Sequence, residues 1–194
     1  RTLRKRSSPR GQTDRDHVGS YRTFYLGPYM PVFCYNSPED ERAMERAEWL
    51  EQMRDKAEKL YDHFSPLYWV KWGRSVDETH REYLYKFLER VPPRSNLLSA
   101  ACGAGLYDGL LLEAGHSVVG IDQSAGMLAR AREHFPEVQY KKMGLQEMDF
   151  REAFDGVICI DAMEHVCPED WPGILRGFQE ALKPGGVLYF TVDL

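Results

Sequence analysis

Ala101-Cys102-Gly103-Ala104-Gly105 closes a short apolar run and leads straight into a stretch of helical spacing. Glycines in such a turn let backbone amides approach a ligand closely, and amides at a helix start favour electron-rich groups. Seventeen residues after Gly105, a second apolar run ends Val119-Gly120-Ile121-Asp122. An acid at that point is placed to accept hydrogen bonds from both hydroxyls of a ribose. Turn and acid together point to a nucleoside-containing cofactor. Each alone has a plainer use: the glycines can serve only a tight turn, and Asp122 can cap the helix opening at Ser124.

The elements that must position this pair follow from the hydrophobic rhythm. Short apolar runs at Asn96–Ala101, Ser117–Ile121, Val138–Tyr140, Gly156–Ile160 and Val187–Val192 read as strands. Amphipathic stretches at Leu106–Ala114, Ser124–His134 and Glu169–Leu182 read as helices between them. Strand and helix alternating at this spacing require right-handed crossovers and a sheet buried on both faces. The expected class is therefore α/β, a doubly wound and mostly parallel sheet that stops after its fifth strand. Upstream, Ser37-Pro38-Glu39-Asp40 is a helix start, with the helix expected to reach about His63. Tyr61–Gly73 reads as a separate aromatic segment, and a second helix is expected from Asp77 to Arg90, before Pro92-Pro93. The chain divides into a basic tail (1–20), a helical and aromatic extension that can serve as a lid (21–94) and the α/β core (95–194).

Composition narrows the setting. With 194 residues, 43% hydrophobic and 28% charged, the chain is an ordinary globular one. No apolar run approaches the ~20 residues of a membrane helix, and no apolar segment backs the basic N-terminus as in a secretory signal. Cys34, Cys102, Cys159 and Cys167 show neither a CxxC pair nor zinc-finger spacing, so a reducing, cytoplasmic compartment is expected. The net charge of −5 hides an asymmetry: residues 1–22 carry +5 and the remainder −10. The polar tail reads as disordered. An acidic body repels phosphate backbones, so nucleic acid is not the expected partner.

The stretch Leu97 to Thr191 resembles the class I S-adenosylmethionine (SAM)-dependent methyltransferases, in particular the ubiquinone- and menaquinone-type enzymes. Four ordered segments carry the resemblance: Leu97-Leu98-Ser99-Ala100-Ala101-Cys102-Gly103-Ala104-Gly105; Val119 to Ala131; Phe154-Asp155-Gly156-Val157-Ile158-Cys159 with Met163-Glu164-His165-Val166; and Leu182-Lys183-Pro184-Gly185-Gly186 with Val187-Leu188-Tyr189-Phe190. The resemblance implies a Rossmann-like fold and SAM as cofactor. The backbone at Ala101, Gly103 and Gly105 would cradle the methionine part, Asp122 the ribose with Gln123 beside it, and the loop Met143-Gly144-Leu145-Gln146 the adenine. Asp161 and Met163 would lie near the transferred methyl. The family usually carries an acid where this chain has Ser99, to hold the amino end of the cofactor, and a polar or acidic residue where it has Gly144. On that pattern, Ser99→Asp is expected to tighten SAM binding. The family also continues past the fifth strand with a helix and two more strands.

Methyl transfer needs chiefly alignment and exclusion of water, and a general base only where the acceptor must lose a proton. His165, Tyr107, Tyr61 and Tyr68 are the candidates, although the family's histidine at 165 mostly orders its loop. Glu164 and His165 are metal-ligand types, but no third ligand has a recognisable spacing and no metal is expected. Tyr61, Tyr68, Trp69 and Trp72 either roof an acceptor or are core. The expected activity is methylation of a small-molecule acceptor. The alternatives are a methyltransferase-like scaffold that has lost turnover, and a nucleic-acid methyltransferase.

Overall fold

The computed structural model describes residues 24–25, 31–32, 46–72 and 76–192. The tail at 1–20, the helix start at 37–40 and most of the Tyr21–Tyr35 segment lie outside them. Phe24–Tyr25 (β1) and Pro31–Val32 (β2) pair antiparallel. Two helices follow, Arg46–Trp72 (α1) and Glu78–Leu88 (α2). The alternating part then runs Asn96–Ala100 (β3), Asp108–Glu113 (α3), Ser117–Asp122 (β4), Ala125–His134 (α4), Gln139–Lys142 (β5), Phe154–Cys159 (β6), Trp171–Ala181 (α5) and Leu182–Phe190 (β7).

Strands β3 to β7 form one sheet in the order β5-β4-β3-β6-β7, and every pair is parallel. The chain builds outward from β3 through β4 to β5, then returns to the other side of β3 for β6 and β7. The reversal leaves a crevice beyond the carboxyl ends of β3 and β6, where open α/β sheets bind ligands. Both faces are covered, as parallel sheets require. Adjacent residues on β3 point to opposite faces: Leu97 packs with Leu84, Phe87 and Leu111 from α2 and α3, and Leu98 with Ile174 and Phe178 from α5. Among the described residues, no helix is long and apolar enough to cross a membrane.

Helix α1 departs from the expected pattern by running unbroken to Trp72 with Pro66 inside it. Pro66 has no N–H to give the carbonyl of Asp62, which ordinarily breaks a helix. The Ser65 hydroxyl supplies that donor, bonding Asp62 O at 2.9 Å. Helix α1 is tied to the core mainly by polar contacts. Asp62 Oδ1 accepts from Ser124 Oγ (2.6 Å) and Gly126 N (2.8 Å), acting as a second cap for α4. Arg54 donates to both oxygens of Asp170, Lys142 to Glu58, and Trp69 stacks on His134.

Asp62→Ala should therefore cost about 1–2 kcal/mol, the scale of a lost helix cap, and lower the melting temperature by a few degrees. The bond from Ser124, then that from Gly126, holds the Asp62 carboxyl below its ordinary pKa. Its contribution is complete above the unfolded value near 4 and lost as pH falls through the depressed one. The gap between wild type and variant should close in acid; equal melting temperatures at pH 7 would exclude the capping role.

Candidate active site

A cavity of about 1080 Å³ fills the crevice beyond β3 and β6 and is walled on one side by α1. Its floor is strained backbone. Ala101 and Asp161, each just past a strand end, take left-handed conformations (φ 51° and 52°), as does Gly103 (φ 54°). Non-glycine residues held there cost about 1–3 kcal/mol each and cluster where a ligand is bound.

The Asp122 carboxylate joins the glycine turn to the next helix. Oδ2 accepts from Gly103 N at 2.9 Å and Oδ1 from Ser124 N at 2.8 Å. One side chain thus ties the Gly103 turn to Ser124, whose own hydroxyl caps α4. Burial raises its pKa to about 6 against the lowering effect of those two bonds. At neutral pH it remains an ionised acceptor with lone pairs to spare, which is what a pair of ribose hydroxyls needs.

Ser99, Ala101, Gly103, Asp122, Gln123, Gly144, Leu145 and Asp161 all line the cavity. Gly105 and Met163 do not. A Cβ at Gly105 (φ 81°) would lie 2.9 Å from the Tyr140 hydroxyl and 3.2 Å from Asp108 Oδ2, so this glycine makes room on the far side of the turn. Met163 is wholly buried in the apolar cluster with Ile174 and Phe178. Motif spacing places both residues in the right loops without fixing which way each faces. At Gly144 the space of a missing side chain is filled by Gln146, whose Nε2 would lie 2.5 Å from an added Cβ. Gln146 also lines the cavity and supplies a polar amide where position 144 has none.

Tyr61, Tyr68, Tyr107 and His165 all reach the cavity, whereas Trp69 and Trp72 do not line it. Burial pushes the Tyr68 hydroxyl up to about 12 and those of Tyr61 and Tyr107 higher still. These phenols stay protonated at neutral pH. His165 lies edge-on to Tyr61 and 3.8 Å from Glu164 Oε1, contacts that order its loop. Sequence reasoning missed His80, on α2. Its Nδ1 is 2.7 Å from Tyr107 Oη and its Nε2 is 3.4 Å from Asp161 Oδ1. With Nε2–H directed at the carboxylate, Nδ1 carries the lone pair and Tyr107 donates to it. No group of three or more metal-ligand side chains is assembled among the described residues.

The two glycines of the turn should respond differently to alanine. Gly105→Ala adds a clash with Tyr140, Phe135 and Asp108 to its positive φ, and should destabilise by more than about 2 kcal/mol. Gly103→Ala meets only Met127 Cε at 3.4 Å and should cost about 1–2 kcal/mol. Denaturant unfolding of both variants checks the order; a reversal would show that the turn is packed differently.

A protein family described as a methyltransferase domain matches residues 97–186. A ubiquinone biosynthesis O-methyltransferase of Bradyrhizobium sp. (strain ORS 278) is 36% identical over 96 residues, covering 47% of this chain and 37% of the relative. The chain spans less than half the length of the curated relatives it matches. Among solved structures, the PH0226 protein from Pyrococcus horikoshii OT3 is 27% identical with a TM-score of 0.56, covering 67% of this chain and 66% of that one. The Burkholderia thailandensis 1,6-didemethyltoxoflavin-N1-methyltransferase, solved with 1,6-didemethyltoxoflavin and S-adenosylhomocysteine, shares the fold at 19% identity. Its TM-score is 0.63, over 87% of this chain and 71% of that one. Motifs, strand order and these likenesses agree: the α/β core of this chain is similar to methyltransferase domains, on a parallel sheet of the same Rossmann-like kind.

Proposed function

We propose that this chain binds SAM over the Gly103 turn and transfers its methyl group to a small-molecule acceptor held beneath α1. The observation that carries the reading is the Asp122 carboxylate on the cavity floor, beside a glycine turn whose open side faces the same space. That floor fits the cofactor: Gly103 leaves its backbone uncovered, Asp122 offers acceptors for the ribose, and Leu145 with Gln146 forms an edge for the adenine. SAM, when bound, supplies an electrophilic methyl on a sulfonium.

The remaining space between Tyr61, Tyr68 and Tyr107 suits a partly apolar acceptor, with α1 as its roof. The cavity lining carries both signs, with Asp161, Glu164 and Asp170 facing Arg54, Lys56 and Lys59. For an acceptor that reacts through a hydroxyl, Tyr107 and His80 provide a route for the proton. The hydroxyl passes its proton to Tyr107 Oη as Tyr107 passes its own to His80 Nδ1, and the imidazolium formed lies beside Asp161. A cytoplasmic setting suits the same reading, since Cys102 and Cys159 are thiols outside any disulfide.

Calorimetry should show binding of S-adenosylhomocysteine, and Asp122→Ala should weaken it by about 1.5–3 kcal/mol. Affinity should fall as pH drops through about 6, where the Asp122 carboxylate takes up its proton. Equal binding by wild type and variant would remove the ribose assignment. Methyl transfer to a panel of phenols, amines and carboxylates tests the activity itself. With a phenolic acceptor, Tyr107→Phe should lower kcat roughly a hundredfold while S-adenosylhomocysteine affinity stays within about twofold. An unchanged kcat would exclude the Tyr107–His80 route.

A further inference from the structure

Two residues past the end of β6 the chain turns at Asp161, which is left-handed (φ 52°) and lines the cavity. The β6–β7 ladder closes beside it, where Thr191 N donates to Cys159 O at 3.1 Å, one residue beyond β7. Asp161 N meets the Thr191 hydroxyl, at 2.8 Å, rather than a strand carbonyl. The same Oγ1 donates to Asp161 Oδ1 at 3.3 Å. One hydroxyl thus grips both the backbone and the carboxylate of this residue. A left-handed aspartate persists only where its surroundings hold it, and Thr191 is part of that hold.

The direction given to the carboxylate matters across the cavity wall. Asp161 Oδ1, the oxygen to which Thr191 donates, is also the one 3.4 Å from His80 Nε2 on α2. His80 Nδ1 in turn is 2.7 Å from Tyr107 Oη, at the start of α3. Tyr107 lines the cavity, whereas His80 and Thr191 do not. Which nitrogen of a neutral imidazole carries the proton is set by what each nitrogen meets. A carboxylate held beside Nε2 favours the proton there and leaves the Nδ1 lone pair to Tyr107. Asp77 also lies against His80, but its Oδ1 accepts from the backbone N–H of Thr79 and His80 as the cap of α2.

We propose that Thr191 is a positioning residue for methyl transfer to a hydroxyl, aiming Asp161 at His80 so that His80 can take the Tyr107 proton. This rests on the transfer reading and on the Tyr107–His80 route. The acceptor oxygen bonds the methyl carbon as the carbon–sulfur bond breaks, with its electron pair staying on sulfur. The acceptor proton goes to Tyr107 Oη, and the Tyr107 proton goes to His80 Nδ1. Positive charge therefore leaves sulfur and ends on His80, where the Asp161 carboxylate meets it. Thr191 touches neither reactant and acts by fixing where that carboxylate points.

Nitrogen NMR of the histidine rings at pH 8, with His80 assigned through His80→Gln, reads the tautomer in the protein alone. Wild type should carry the proton on Nε2. Thr191→Val keeps the shape and loses the hydroxyl, and should move a large share of the proton to Nδ1; Thr191→Ser should keep it on Nε2. Thr191→Ala, smaller at the same place, repeats the comparison without a second methyl against Asp161. With a phenolic acceptor, both hydroxyl-free variants should lower kcat roughly tenfold, and Thr191→Ser should stay within about twofold of wild type. Affinity for S-adenosylhomocysteine should stay within about twofold throughout. A carboxylate acceptor has no proton to lose, so Thr191→Val should methylate it at nearly the wild-type rate. A threonine that serves the fold alone would slow both acceptors alike, and that result would overturn the proposal. So would His80 resonances unchanged by Thr191→Val, or a serine variant as slow as the valine one. A wild type that methylates no hydroxyl acceptor would sink the Tyr107–His80 route, and this proposal with it. One that does, and is indifferent to the Thr191 hydroxyl, would overturn this proposal alone.

Discussion

The Asp122 carboxylate is the point on which the site turns. It receives one backbone N–H from the loop after β3 and one from the start of α4, so a single side chain locks two adjacent crossovers at the same height. Parallel strands leave their carboxyl ends as separate loops with no intrinsic registry. A shared acceptor supplies it, and Cys102 N bonding Ile121 O adds a second tie between the same two strands. Asp62 then reaches the same helix start from α1, so floor and roof of the cavity are fixed to one another through Ser124. The left-handed residues at 101 and 103 sit inside this frame, which holds them where an isolated loop would relax.

Asp108 and Asp122 both carry raised pKa values because the protein withholds water from them. Each is partly compensated by donors from elements far apart in sequence, Tyr140 in one case and the Gly103 amide in the other. A site assembled this way is pre-organised for polar contact with a ligand, at the expense of the empty protein's stability.

Much of this was legible in the sequence because it is periodic or local. The strand runs, the glycine turn, the acid 17 residues on and the cap at Ser124 all depend on neighbours within a few positions. What was not legible depends on distance. His80 meets Tyr107 across 27 residues, and Asp62 meets Ser124 across 62. Neither pairing leaves a trace in spacing. Helix α1 runs past the end expected near His63 although Pro66 lies inside it, because the Ser65 hydroxyl that answers the proline acts through a bond that any serine can make or omit. Gly105 and Met163 stand in the expected loops but face away from the cavity. The departure at 144 looks like a loss along the chain, whereas in space Gln146 fills the room that a side chain there would take.

The roof has a further consequence. Of the 27 residues of α1, only Met53 and Ser65 are buried, and its attachments are ion pairs, a cap and a ring stack rather than an apolar seam. Such contacts exchange readily for water, and ion pairs weaken as salt rises. The hold of α1 on the core is therefore more sensitive to ionic strength than the packing of the sheet is. One wall of a cavity of about 1080 Å³ thus rests on contacts that salt weakens, while its floor rests on backbone hydrogen bonds that salt leaves alone.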